Sequence, residues 1–228
     1  YLNSEGTAKE RTYVTGSPMA EVLHRNLEKI ESSDILTRLG LEKGRYILLS
    51  AHREENIDTE KNFTSLMNAV NAMAEKYDMP ILYSCHPRSA KYIEKRGFVF
   101  DPRVKQHKPL GFHDYNNLQM NAFAVVSDSG TLPEESSFFL SVGRPFPAIS
   151  IRTSTERPEA LDAGCFVLAG IDADSLLQAV EMAVGMQRVE CFGTPVEDYT
   201  AENVSMKVAR IIQSYTGIVN KMVWRKDG

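Results

Sequence analysis

The sequence predicts an α/β fold built on a doubly wound parallel sheet. Short apolar runs alternate with amphipathic helical patterns about five times along the chain, the order expected of repeated strand-helix units. The runs are apolar throughout rather than alternating, as strands are when both sheet faces are covered by helices. Polar, charge-dense segments follow the runs, and in such sheets ligands bind beyond the carboxyl ends of the strands.

Each element follows from local chemistry. Amphipathic segments near Met19–Ile30 and Asp34–Leu39 open the chain. Tyr46–Ser50 is the first strand, after a Gly44-Arg45 turn. Phe63, Leu66, Met67, Val70, Met73 and Ala74 recur at helical offsets and form one apolar stripe, core by default. Pro80–Cys85 is the next strand, and Pro87 starts a short helix through Arg96 at a position that suits proline. A weaker strand lies near Arg103–Gln106 and a helix near Tyr115–Asn121. Ala122–Val126 is the cleanest strand, followed by a helix from Leu132-Pro133. Phe146–Ile151 and Cys165–Leu168 complete the strands. Leu176–Val184 and Val204–Tyr215 mark the last two helices. Gly193–Thr200 reads as the loop between them. The organisation expected is joining helices over 1–41, which continue from a preceding domain, a ligand-binding domain over 42–190, and a loop and helix over 191–228.

The formal net charge of −4 over 228 residues supplies no general field for nucleic acid or anionic membrane. No stretch approaches the roughly 18 apolar residues of a membrane span. Cys85, Cys165 and Cys191 are odd in number and far apart, which argues for a reducing, cytoplasmic compartment. Cys85 and Cys165 read as small buried thiols. Neither GxGxxG nor GxxxxGK[ST] occurs, against a dinucleotide or P-loop site, and no HxxxH or HExxH pattern points to a metal.

Four segments fall on the predicted rim: 50–56, 84–88, 127–131 and 152–159. Ser129, Gly130 and Thr131 turn from a buried strand into a helix, where free amides and the positive dipole end suit phosphate. Thr131-x-x-Glu134 is also a capping box, which explains both residues without a ligand. His52 can contact phosphate or carry protons, or simply hold its loop. His86 has the same placement but precedes Pro87, and the structural reading is favoured; His24, His107 and His113 read as surface or loop residues. Arg157 can clamp a diphosphate or pair with Glu156 or Glu159. Glu135, one turn into the helix, suits ribose hydroxyls; its alternative is an exposed helix residue.

The segments Val14-Thr-Gly-Ser-Pro18, Ser50-Ala-His-Arg-Glu-Glu-Asn56, Ser127-Asp-Ser-Gly-Thr131 with Glu134-Glu135, and Thr155–Gly164 resemble the non-hydrolysing UDP-N-acetylglucosamine 2-epimerase family in spacing and order. The starting Thr15–Met19 segment, the Asp-Ser-Gly-Thr turn and the tail to Trp224 most resemble the branch that forms UDP-N-acetyl-L-fucosamine for capsule or O-antigen. The resemblance implies one Rossmann-like half of a two-domain GT-B-type fold, with UDP held on this half and no cofactor or metal. It implies that His52 is the functional histidine at the diphosphate, that Ser129, Gly130 and Thr131 hold phosphate oxygens, that Glu135 takes the ribose hydroxyls, that Arg157 lies near the diphosphate or sugar, and that Tyr115 lies near the uracil. Thr131 stands where the family commonly has glycine, and the stretch from Ser136 to Ser150 is longer than the family pattern. The implied partners are a UDP-sugar, a preceding N-terminal domain carrying the proton-transferring carboxylates, and a second subunit of the full-length protein. This half alone is expected to be inactive. The competing readings are the nucleotide domain of a GT-B glycosyltransferase and a non-catalytic nucleotide-sugar sensor.

Overall fold

The computed structural model describes residues 2–152, 155 and 157–226. Two helices, α1 (Pro18–Glu31) and α2 (Ile35–Leu39), lead into β1 (Ile47–Ser50). There follow α3 (Glu54–Ile57), α4 (Glu60–Tyr77), β2 (Ile81–Ser84), α5 (Pro87–Arg96), β3 (Val104–His107), α6 (Phe112–Asn121), β4 (Ala124–Ser127) and α7 (Leu132–Ser141). The chain closes with β5 (Ala148–Ile151), α8 (Pro158–Asp162), β6 (Val167–Ala169), α9 (Ala173–Arg188) and α10 (Val204–Met222). The six strands form one parallel sheet in the order β3-β2-β1-β4-β5-β6. The order reverses between β1 and β4, so the crevice expected to take a ligand opens there.

Alternation along the strands separates two cores. Ile47, Leu49, Ile81, Tyr83, Val126 and Ile149 face α4 and α9 through Phe63, Leu66, Met73, Leu176 and Val180. Tyr46, Leu48, Leu82, Val125 and Ala148 face α1, α6 and α7 through Leu23, Ile30, Leu118, Leu132, Phe138 and Phe139. Each fully buried aliphatic side chain contributes about 1.5–3 kcal/mol from burial. The leading helices therefore share a core with the sheet: Ala20, Leu23, Ile30 and Ile35 are buried against it.

Local signals set the ends. Ser17 caps α1, accepting from the Met19 amide, with Pro18 in the first turn. α6 starts three residues before the expected Tyr115, with Gly111 at its N-cap. β4 and β6 lie one or two residues later than the apolar runs suggest, and β5 begins only after Pro147, which has no amide to give a ladder. The short α3 falls within a segment read as loop. His107 ends β3 and His113 lies in the first turn of α6, rather than in loops. Cys85 and Cys165 are buried free thiols and Cys191 is exposed. Among the described residues no helix is long and apolar enough to cross a membrane. α10 buries only Val204; Met206, Ile212, Ile218, Met222 and other apolar residues along it meet solvent.

Candidate functional site

At the switch point the register places Ser50 of β1 beside Ser127 of β4, and Ser127 beside Ser150 of β5. The chain leaving β4 next presents Asp128, whose side chain has no solvent exposure. Its Oδ2 accepts hydrogen bonds from the amides of His52 (2.8 Å) and Arg53 (2.8 Å) and from Asn56 Nδ2 (3.1 Å). Asn56 Nδ2 also donates to the Ile151 carbonyl at 3.0 Å, and Arg53 Nε donates to the Asp128 carbonyl at 2.7 Å. One buried carboxylate and one buried amide thus bind the segments that follow β1 and β4 to each other and to the end of β5. His52 stands over this hub with Nδ1 3.2 Å from Asp128 Oδ1 and its side chain 44% exposed.

The turn into α7 is built from its own hydroxyls. Ser129 N donates to Ser127 Oγ (3.1 Å), Thr131 N donates to Ser129 Oγ (3.3 Å), and the Ser129 and Thr131 hydroxyls lie 3.0 Å apart. The Gly130 amide has no hydrogen-bond partner among the described residues. It lies at the positive end of α7, as an anion-receiving amide should. A Cβ at Gly130 would lie 3.3 Å from Arg53 Nη2, so the guanidinium hangs directly over the turn.

The capping box is not made. Thr131 occupies the N-cap but makes no side-chain bond to the helix amides; its hydroxyl donates to Glu135 Oε1 at 2.8 Å. Glu134 turns away and accepts from Ser17 Oγ and from Arg157 Nε at 2.9 Å. Glu135 is buried rather than exposed, and Gln119 Nε2 donates to its Oε2 at 2.6 Å. Burial pushes its carboxyl upward against the downward pull of Gln119 and Thr131. The Tyr115 phenol also titrates high, first because it is buried and then because of the Glu135 charge; Ser127 and Ser50 act on it from the strand ends.

His52, Ser129, Gly130 and Thr131 are thus brought together around Asp128, with Glu135 joined through Thr131 and Tyr115 nearby. His52 and Arg53 open on a recess of about 470 Å3 shared with Glu54, Glu55, His86 and Arg88. Arg157 lies in a separate recess of about 520 Å3 with Gly16, Ser17, Glu134 and Tyr199. Arg157 pairs there with Glu134; Glu159 accepts from the Tyr199 hydroxyl, and Glu156 lies outside the described residues. Burial pulls the Arg157 guanidinium down, but Glu134 outweighs it and leaves it raised. A third cavity, about 410 Å3 and lined by Leu140, Phe146, Phe166, Met182 and Phe192, lies at the amino ends of β5 and β6, away from all these residues. Among the described residues no group of three or more His, Cys, Asp or Glu side chains is placed to hold a metal ion.

Sequence reasoning places Asp128 in the anion-candidate turn and Glu134 in a capping box without giving either a role of its own at the site, and it assigns none to Asn56 or Gln119. Asp128 carried a further signal: a charged residue directly after an apolar parallel strand has to find partners in the neighbouring loops.

Fold and site together define a Rossmann-like α/β domain with a polar rim at its switch point. Residues 1–213 match the family model described as UDP-N-acetylglucosamine 2-epimerase, and the chain belongs to that family. It is 29% identical over 191 residues to the UDP-N-acetylglucosamine 2-epimerase of Methanococcus maripaludis, covering 81% of this chain and 51% of the relative. A solved UDP-N-acetylglucosamine 2-epimerase from Rickettsia bellii superposes with a TM-score of 0.86 at 37% identity, over 99% of this chain and 59% of that one. The Methanocaldococcus jannaschii UDP-GlcNAc 2-epimerase, solved in complex with UDP-GlcNAc and UDP, superposes with a TM-score of 0.81 at 25% identity, over 93% of this chain and 57% of that one. The chain spans about half the length of the curated relatives it matches.

Proposed function

We propose that this chain is the nucleotide-binding half of a UDP-N-acetylhexosamine 2-epimerase, one that prepares precursors for surface polysaccharide. In this reading the C2 proton is removed and UDP leaves C1, giving a glycal; UDP then adds back after reprotonation from the opposite face. The chemistry requires a base, an acid and stabilisation of the departing diphosphate. This half provides the stabilisation. The first two belong to the other half of a GT-B-like pair, which closes over the sugar and keeps water out.

The observation that carries the reading is the Asp128–Thr131 turn, with His52 and Arg53 tied to it by Asp128. Negative charge grows on the diphosphate as the C1–O bond breaks. The Gly130 amide, the α7 dipole and the Arg53 guanidinium are fixed before that happens, so they favour the transition state over the bound sugar. Loss of one such donor costs about 3 kcal/mol of barrier, by analogy with oxyanion donors. Glu135 is suited to the ribose: it is an acceptor, buried, and set behind the phosphate turn. Arg157 reaches the diphosphate only by leaving Glu134, so its contribution is the one most dependent on closure.

Titration calorimetry or ligand-observed NMR with UDP tests the reading. Weak but measurable binding by the chain is expected, weakened further in Gly130→Ala. No interaction at millimolar UDP overturns it.

A further inference from the structure

We propose that Asp128 is a positioning residue that fixes the ring of His52, so that Nδ1 carries a hydrogen toward the carboxylate and Nε2 is the atom offered to ligand. The proposal deepens the nucleotide-sugar reading and rests on it for the identity of that ligand.

The geometry supports each step. Oδ2 of Asp128 is fully occupied by two backbone amides and Asn56 Nδ2. Those bonds settle which oxygen faces inward. Oδ1 is then the oxygen left over: it is buried, has no hydrogen bond among the described residues, and lies 3.2 Å from His52 Nδ1. A carboxylate oxygen can only accept, so a neutral imidazole in this position is held as the Nδ1–H tautomer. A buried oxygen without a partner is costly, and turning Nδ1–H toward it relieves that cost. Nε2 is the ring nitrogen not facing Asp128, and His52 lines the recess shared with Arg53, His86 and Arg88. The neighbouring ring is set the other way: His86 Nδ1 accepts from the Arg88 amide at 3.2 Å, so its hydrogen resides on Nε2. The two ring centroids are 6.2 Å apart. One recess is therefore lined by a ring whose Nε2 accepts and a ring whose Nε2 donates. When His52 takes up a proton at Nε2, the ring becomes a cation held between Asp128 and an incoming diphosphate, and it can return that proton to a phosphate oxygen.

The test is long-range 1H–15N NMR of the chain labelled at histidine, recorded at mildly alkaline pH, with His52→Gln identifying the His52 signals by their loss. The wild-type ring is expected as the Nδ1–H tautomer. In Asp128→Asn the amide oxygen replaces Oδ2 toward the two backbone amides. Its NH2 then faces Nδ1 and can only donate, so the order of the two ring-nitrogen shifts is expected to reverse. A wild-type ring carrying its hydrogen on Nε2 overturns the proposal, and does so even if Asp128→Asn fails to fold. So does an unchanged tautomer in a folded Asp128→Asn. Added UDP is expected to move the Nε2 resonance of His52 and leave Nδ1 nearly still; movement of Nδ1 alone overturns the orientation. If UDP moves neither while the tautomer is as expected, the nucleotide reading fails and the orienting role of Asp128 stands.

Discussion

Glu135 shows how a buried carboxylate strains the domain that holds it. Its folded pKa is raised by burial, so the folded state binds the proton more tightly than the unfolded chain. The associated stability is fully present below the unfolded carboxylate range, near pH 4.3, and is lost as pH rises through the raised folded value. Glu135→Gln removes that loss. We expect denaturant midpoints of the variant to exceed wild type above the carboxylate range and to converge with it in acid, while UDP binding weakens. Arg157 makes the opposite case. Truncation to Ala leaves Glu134 with Ser17 as its remaining hydroxyl partner, and should cost about 1–3 kcal/mol of folding stability by urea denaturation. Calorimetry separates that structural share from a ligand contact: UDP affinity falling more than uridine affinity indicates a diphosphate role, and equal falls indicate an arginine that serves only the fold. The residues grouped by the turn, His52 and Ser129–Thr131, were legible because they follow strands directly. The Arg157–Glu134 pair was not, because 23 residues separate the partners and the side-chain direction of Glu134 depends on Ser17 far upstream.

At the scale of elements, glycines report what the packing requires. Gly130→Ala would meet only the terminal Nη2 of the Arg53 side chain, at 3.3 Å. We expect less than about 1 kcal/mol of lost stability, with UDP binding impaired because the guanidinium is displaced from the turn. Gly193 faces backbone instead: a Cβ there would sit 2.1 Å from the Ala163 carbonyl oxygen and 2.5 Å from the Gly164 carbonyl carbon. Gly193→Ala should cost upwards of about 2 kcal/mol, read as a fall in thermal midpoint, with any residual folded fraction still binding UDP. The strands and long helices were legible from periodicity, since burial on both faces leaves unbroken apolar runs and one-sided burial leaves a stripe. Short elements were not: α3 spans four residues and carries no period to detect. The capping box at Thr131 misled for a related reason. The pattern fixes residue types, while the buried Gln119 and the hydroxyl of Ser17 decide where each carboxylate turns.

For the whole molecule, the doubly wound sheet was readable from element order, and its switch point follows from the strand order β3-β2-β1-β4-β5-β6. The packing of α1 and α2 into the second core was not readable, because an amphipathic stripe does not state which surface it meets. The chain alone should not exchange the C2 proton of a UDP-N-acetylhexosamine with solvent deuterium, since in our reading the base is on the other half. Mass spectrometry showing deuterium uptake would place a base within these residues and revise the division of labour. α10 bears on how such experiments behave. Its first turn is moored where Glu21 accepts from the Ser205 amide and hydroxyl, and beyond that lies a row of oily side chains in water. Amides late in this helix should trade hydrogen for deuterium long before those of β1 or β4. At the millimolar chain concentrations that weak ligands demand, the same greasy row should make molecules cling to one another, so dilution series belong beside every titration.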